Sequence, residues 1–207
     1  MKKIIIIGLL LMNFTSLSYA ECPIIISNAP PTDGYKLCLV DAKKGDAFAQ
    51  YNVGVMLING VGGAPQKTTD AVIWLKKAAN KLPIAENALG NLYSTGDGVE
   101  QSYKTALYWY KKAANEGFAQ SQFNLGVYYS EGRGVSQDYN LAVYWYQKAA
   151  DHNYTPGMVN LGKMYSDGKG VQQDYIKAAS WYQKAANLGD ETAAENLDGL
   201  RANGLVK

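Results

Sequence analysis

The side chains that most often do chemistry are few in this sequence and regularly placed. The single histidine, His152, stands in Asp151-His152-Asn153 between two apolar segments, where Glu116 stands one unit earlier. A general base needs an orienting partner and a substrate within hydrogen-bond reach; a histidine in a polar turn reads instead as solvated. Lys77, Lys112, Lys148 and Lys184 each follow a Trp by three residues. A repeated anion site is one use for such a column, and the favourable placing of cations near helix C-termini is the simpler one. Gly96-Asp97-Gly98, Gly132-Arg133-Gly134 and Gly168-Lys169-Gly170 follow helical rather than strand patterns and lack a third glycine, so they suit turns and not a dinucleotide phosphate. Glu131 and Asp167 share a column with Thr95 and Asn59, which reads as an exposed rim and not as an acid–base pair. No H-E-x-x-H, G-x-S-x-G, P-loop or zinc-type Cys/His spacing occurs. The expectation is a protein that is not an enzyme, with no catalytic residues, no cofactor and no metal.

The elements that would position any site follow from an internal period. Gly54, Gly90, Gly126 and Gly162 are each 36 residues apart, inside AQYNVGVML, AENALGNLY, SQFNLGVYY and GMVNLGKMY. A second block follows each, centred on Trp74, Trp109, Trp145 and Trp181 and running into paired alanines. In the third unit Leu125, Tyr128 and Tyr129, then Ala142, Trp145 and Ala149, recur at three- and four-residue steps, which places each set on one helical face. Each unit is thus a pair of antiparallel helices. Glycines in the G-x-G turns supply the positive φ that ends the first helix. Ser102, Asp138 and Asp174 stand where an N-cap side chain would open the second.

The pattern A-x-x-x-L-G-x-x-Y, then G-x-G-V-x-x-D-Y and A-x-x-W-Y-x-K-A-A with a closing Gly, resembles the Sel-one-like repeat family, relatives of the tetratricopeptide repeats. Four units from Asp46 to Gly189 carry it. The first departs by one extra residue in Gly60 to Pro65 and by Leu75 in place of Tyr, the second by opening on Lys81-Leu82-Pro83. The fold this implies is all-α: a right-handed α/α solenoid of four 36-residue antiparallel helix pairs with terminal capping helices.

The ends fit an array that must cap itself. Tyr35 to Lys44 reads as the second half of a lost repeat, and Asp190 to Ala202 begins another first helix. Ahead of the array, Lys2 and Lys3, the apolar run Ile4 to Met12 and Ser18-Tyr19-Ala20 read as a secretory signal cleaved after Ala20. The apolar run falls short of the roughly twenty residues a bilayer span requires. The division expected is a signal peptide over 1–20, a leader and N-terminal capping helix over 21–45, repeats over 46–81, 82–117, 118–153 and 154–189, and a C-terminal cap over 190–207. Export places Cys22 and Cys38 in an oxidising compartment, where they are expected to form a disulfide tying the leader to the first helix. In the chain-entropy model such a loop contributes roughly 3 kcal/mol.

The full chain has 20 basic and 18 acidic side chains; without Lys2 and Lys3 the counts are 18 and 18. That balance gives no electrostatic reason to expect nucleic acid or anionic lipid as the partner. What remains is surface. Counted from the central glycine, positions minus six, minus three, plus one and plus five of each first helix share a face: Phe48, Tyr51, Val55, Asn59; Ile84, Asn87, Asn91, Thr95; Gln120, Phe123, Val127, Glu131; Pro156, Val159, Lys163, Asp167. This mixture of aromatic, amide and sparse charge suits a concave surface that meets a protein or peptide. Tyr51 and Phe123 fit packing between repeats equally well. The contacts expected are Asn87, Asn91, Gln120, Phe123, Val127 and Lys163.

The function expected is an exported protein–protein interaction module, an adaptor, scaffold or inhibitor, located in the periplasm or secreted and monomeric. The family resemblance implies two narrower alternatives: an immunity protein neutralising a secreted toxin enzyme, and a penicillin-binding or weak β-lactamase-type enzyme. Relatives of the second kind carry a disulfide in every repeat, whereas here the only cysteine pair lies outside the four repeats, and the Ser-x-x-Lys spacing of Ser166 to Lys169 falls in a G-x-G turn.

Overall fold

The computed structural model describes Cys22 and residues 33–207. The expected signal peptide, 1–20, and the leader from Pro23 to Thr32 lie outside the described residues. Ten helices follow in chain order among the described residues: α1 (Gly34–Lys44), α2 (Ala47–Asn59), α3 (Thr68–Ala78), α4 (Pro83–Thr95), α5 (Tyr103–Asn115), α6 (Ala119–Glu131), α7 (Tyr139–Asp151), α8 (Thr155–Asp167), α9 (Tyr175–Asn187) and α10 (Glu191–Ala202). Each packs against the helix before and after it, giving four antiparallel pairs, α2/α3 to α8/α9, flanked by α1 and α10. The architecture is an all-helical solenoid.

The turns follow from local chemistry. Gly96, Gly132 and Gly168 adopt φ of 78°, 72° and 67°, a left-handed conformation that ends the first helix without a side-chain penalty. The chain then reverses into caps: the side chains of Ser102, Asp138 and Asp174 accept hydrogen bonds from the backbone N–H of Thr105, Leu141 and Lys177. Each cap is worth about 1 kcal/mol. A further clasp recurs inside the loop, where Gln101, Gln137 and Gln173 donate from Nε2 to the carbonyls of Ser94, Ser130 and Ser166 at 2.8, 2.7 and 2.9 Å. In the first unit, despite its extra residue, Gln66 donates to the Ile58 carbonyl at 3.2 Å.

Close approach explains the central glycine. A Cβ on Gly90 or Gly126 would lie 2.4 Å from the ring of Tyr110 or Tyr146, and one on Gly162 would lie 2.7 Å from Tyr182. The second-helix tyrosine therefore occupies the room the glycine leaves. In the first unit Leu75 takes that place against Gly54. Buried alanines, leucines and these tyrosines form clusters that run across unit boundaries, such as Tyr129, Tyr146, Leu161, Tyr182 and Leu197. At one end Cys22 is disulfide-bonded to Cys38, which is fully buried on α1. At the other, Asp190 caps α10 through the N–H of Ala193, and Glu191, Glu195, Asp198 and Arg201 face solvent.

Candidate protein-binding surface

The face expected from the first helices divides into packing and free surface. Asn87 is 2% exposed: its Oδ1 accepts from Ser121 Oγ at 2.8 Å and from Asn124 Nδ2 at 3.1 Å. That triad joins the second unit to the third, so Asn87 holds repeats together and offers a partner nothing. Its expected place among the contact residues is corrected on this ground. Asn91 is half-buried and accepts from the Tyr110 hydroxyl at 2.8 Å, which fixes its orientation. Phe123 is half-buried with its ring against Tyr146 and Tyr154, at centroid distances of 5.9 and 5.5 Å. Val127 packs against the same cluster, Gln120 is half-buried, and Lys163 is exposed. Tyr51 is buried and Phe48 exposed.

The freer part of Phe123 lines an open depression of about 190 Å³ with Pro156, Val159, Asn160, Asp190 and Thr192. It lies between α6, α8 and the start of α10 and is lined by three apolar and three polar side chains, of which Asp190 also caps α10. Asn160 was legible: Asn52, Asn124 and Asn160 recur two residues before the central glycine. The larger depression, about 510 Å³ beside Tyr93, Val99, Glu100, Gln101, Ser102 and Thr105, contains the loop clasp and helix cap described above, so its polar groups serve the turn.

The residues with chemical potential are placed as structure. His152 is exposed at the C-cap of α7. Glu131 and Asp167 pair with Arg133 and Lys169 across their own turns and not with each other. The lysine column lies over aromatic rings: Lys77 is 4.3 Å from the Trp74 centroid, Lys112 5.2 Å from Trp109 and Lys184 4.0 Å from Trp181, while Lys148 sits over Tyr144 at 5.7 Å. Each such contact is worth about 0.5–1 kcal/mol at an exposed site. Burial pushes the hydroxyls of Tyr51 and Tyr182 up to about 12, so these phenols stay protonated. Glu86 is 1% exposed and meets Lys112 Nζ at 2.8 Å, with its second carboxylate oxygen buried and unpartnered. Burial raises the Glu86 pKa, and the Lys112 ammonium opposes that rise. Among the described residues no group of three or more His, Cys, Asp or Glu is placed to hold a metal ion, and no helix is long and apolar enough to cross a membrane.

The second helices present what the sequence reading missed. Ile73, Tyr108 and Tyr144 stand immediately before the Trp of α3, α5 and α7 and are 56%, 56% and 50% exposed. Charge is also unevenly divided. Helices α3, α5, α7 and α9 carry eight lysines against Asp70 and Asp151, whereas α2, α4, α6 and α8 carry Lys163 against Glu86, Glu131 and Asp167.

Fold and turns together define an all-helical repeat solenoid. The Sel1 repeat model matches residues 47–81, 83–118, 119–154 and 155–190, and the chain belongs to that family of protein-interaction modules. Among solved structures, c5321, a protective antigen present in uropathogenic Escherichia coli strains and displaying an SLR fold, is 38% identical with a TM-score of 0.80, over 84% of this chain and 37% of that one. This chain thus spans well under half of the E. coli protein. A Sel1 repeat protein from Oxalobacter formigenes is 34% identical with a TM-score of 0.79, over 84% of this chain and 71% of that one. Immunity protein Pa5087 from Pseudomonas aeruginosa shares the fold at 22% identity and a TM-score of 0.55, over 81% and 64% of the two chains.

Proposed function

We propose that this protein is an exported adaptor or inhibitor that binds one protein partner on its first-helix face, around the depression between α6, α8 and α10. The observation that carries the reading is the depression itself, where half-buried Phe123, Pro156 and Val159 stand beside Asn160, Thr192 and the helix-capping Asp190. A buried apolar anchor within a polar rim is the arrangement that concentrates binding energy in protein interfaces. Gln120 and Lys163 extend the surface, and Asn91, held by Tyr110, borders it. The Cys22–Cys38 bond supports an exported setting, since such bonds persist outside reducing compartments. An immunity protein seated on a secreted toxin enzyme is the narrower version; its mark would be a captured enzyme that loses activity in the complex.

The test is affinity capture from envelope and secreted fractions with the exported protein, beside a variant carrying Gln120→Ala and Lys163→Glu. The expected result is one stoichiometric partner whose affinity falls at least about tenfold in the still-folded variant, a change of about 1.4 kcal/mol. Equal recovery by both proteins would remove this face from the account.

A further inference from the structure

The lysines of the second helices are placed for something outside the chain. Lys76, Lys77, Lys104, Lys111, Lys148 and Lys184 are exposed, and none forms an ion pair among the described residues. Several are held over rings: Lys77 and Lys184 over Trp, Lys111 over Tyr129 at 5.6 Å and Lys148 over Tyr144. Such contacts restrict the long side chains and leave the ammonium groups without an anion. Beside them stand the exposed Tyr108 and Tyr144, each braced edge-on by the following Trp at 5.1 and 5.0 Å. Along α5 the succession is Lys104, Tyr108, Lys111; along α7 it is Leu141, Tyr144, Lys148. Charged and apolar side chains therefore share one face of each helix at steps of one turn.

We propose that the face formed by α3, α5, α7 and α9 is a second docking surface, for an acidic protein segment that also carries apolar side chains. Its apolar groups meet Ile73, Tyr108 and Tyr144, and its carboxylates meet Lys111, Lys148 and Lys184. Charge complementarity of this kind steers encounter and fixes register. A protein segment fits better than a bilayer, because the exposed apolar side chains form small groups among lysines, whereas an interfacial helix needs a broad apolar face. It fits better than nucleic acid because these four helices contain no arginine and the whole chain is nearly balanced in charge. An extended polyanion would also meet the acidic end at Glu191, Glu195 and Asp198.

Fluorescence anisotropy tests the proposal with four probes: a labelled Glu-rich peptide bearing Leu and Phe, the same peptide with Lys for Glu, phosphatidylglycerol vesicles and a single-stranded oligonucleotide. The wild-type protein is expected to bind the acidic peptide in preference to the other three, and more weakly as salt rises. Lys111→Glu with Lys148→Glu is expected to weaken that binding at least about tenfold, and Tyr108→Ser with Tyr144→Ser by a smaller factor. Both pairs are exposed, so each variant stays cooperatively folded, with only the small drop in melting temperature that the lost ring contacts entail. Lys163→Glu, on the other face, leaves the acidic peptide bound as before, which separates this surface from the first-helix site. The proposal is overturned if the acidic peptide binds no better than its lysine counterpart, if either pair of substitutions leaves its affinity unchanged, or if vesicles or the oligonucleotide are the preferred probe.

Discussion

The first-helix and second-helix faces derive from the same four repeats, yet they have been put to different uses. On the first-helix face much of the polar and aromatic material turns inward: Asn87 joins two units, Tyr51 is buried, and Asn91 and Phe123 are held by Tyr110, Tyr146 and Tyr154. What stays available is concentrated at one depression. On the second-helix face the repeating Trp and Tyr form the seam, and the residue before the Trp is left outside in three units. The lesson is that column and depth differ. A residue can share a helical stripe with exposed neighbours and still be structural when the adjoining unit supplies a matching small polar group.

The contrast is broken most severely at Asn87. Asn87→Ala would leave the Ser121 hydroxyl and the Asn124 amide without their acceptor in a buried place, at a cost of about 2 kcal/mol. Thermal unfolding should show that loss, whereas Lys163→Ala, at an exposed position, should change stability by less than about 0.5 kcal/mol. Equal effects would mean that Asn87 belongs to the free surface after all.

A smaller effect sharpens the link between the faces, because Glu86 on α4 reaches across to Lys112 on α5. Its folded pKa is raised by burial, so the folded state holds that proton more tightly than the unfolded chain does. The contribution is full below the ordinary carboxyl value and is lost as pH rises through the raised one. Glu86→Gln is expected to flatten this part of the stability–pH curve. Denaturant titrations across mildly acid and neutral pH check it; parallel curves for both proteins would mean that Glu86 has an ordinary carboxyl in the fold.

Most of the fold could be read in the sequence because the period samples each requirement several times. The glycine before a tyrosine-filled gap, the Ser or Asp cap and the G-x-G turn each recur in register, and Leu75 departs where its contact with Gly54 differs. The surface was less legible for two reasons. Whether Asn87 is buried depends on Ser121 and Asn124 in the next unit, a pairing that does not recur. The lysine-rich helices were hidden by the balance of 20 basic and 18 acidic residues over the chain, which averages away a division between alternate helices. The column of Ile73, Tyr108 and Tyr144 was visible in the repeat but was absorbed into the aromatic block around each Trp.

The central claim is that a protein partner meets the first-helix face, and site-specific photo-crosslinking tests it most directly. A photoreactive residue would be placed at Lys163 on α8 or, in a separate protein, at Ser180 on α9, both exposed and in the same unit. The account predicts a single adduct with the captured partner from position 163 and none with that partner from position 180. No adduct at 163, or the same adduct at both positions, would contradict it.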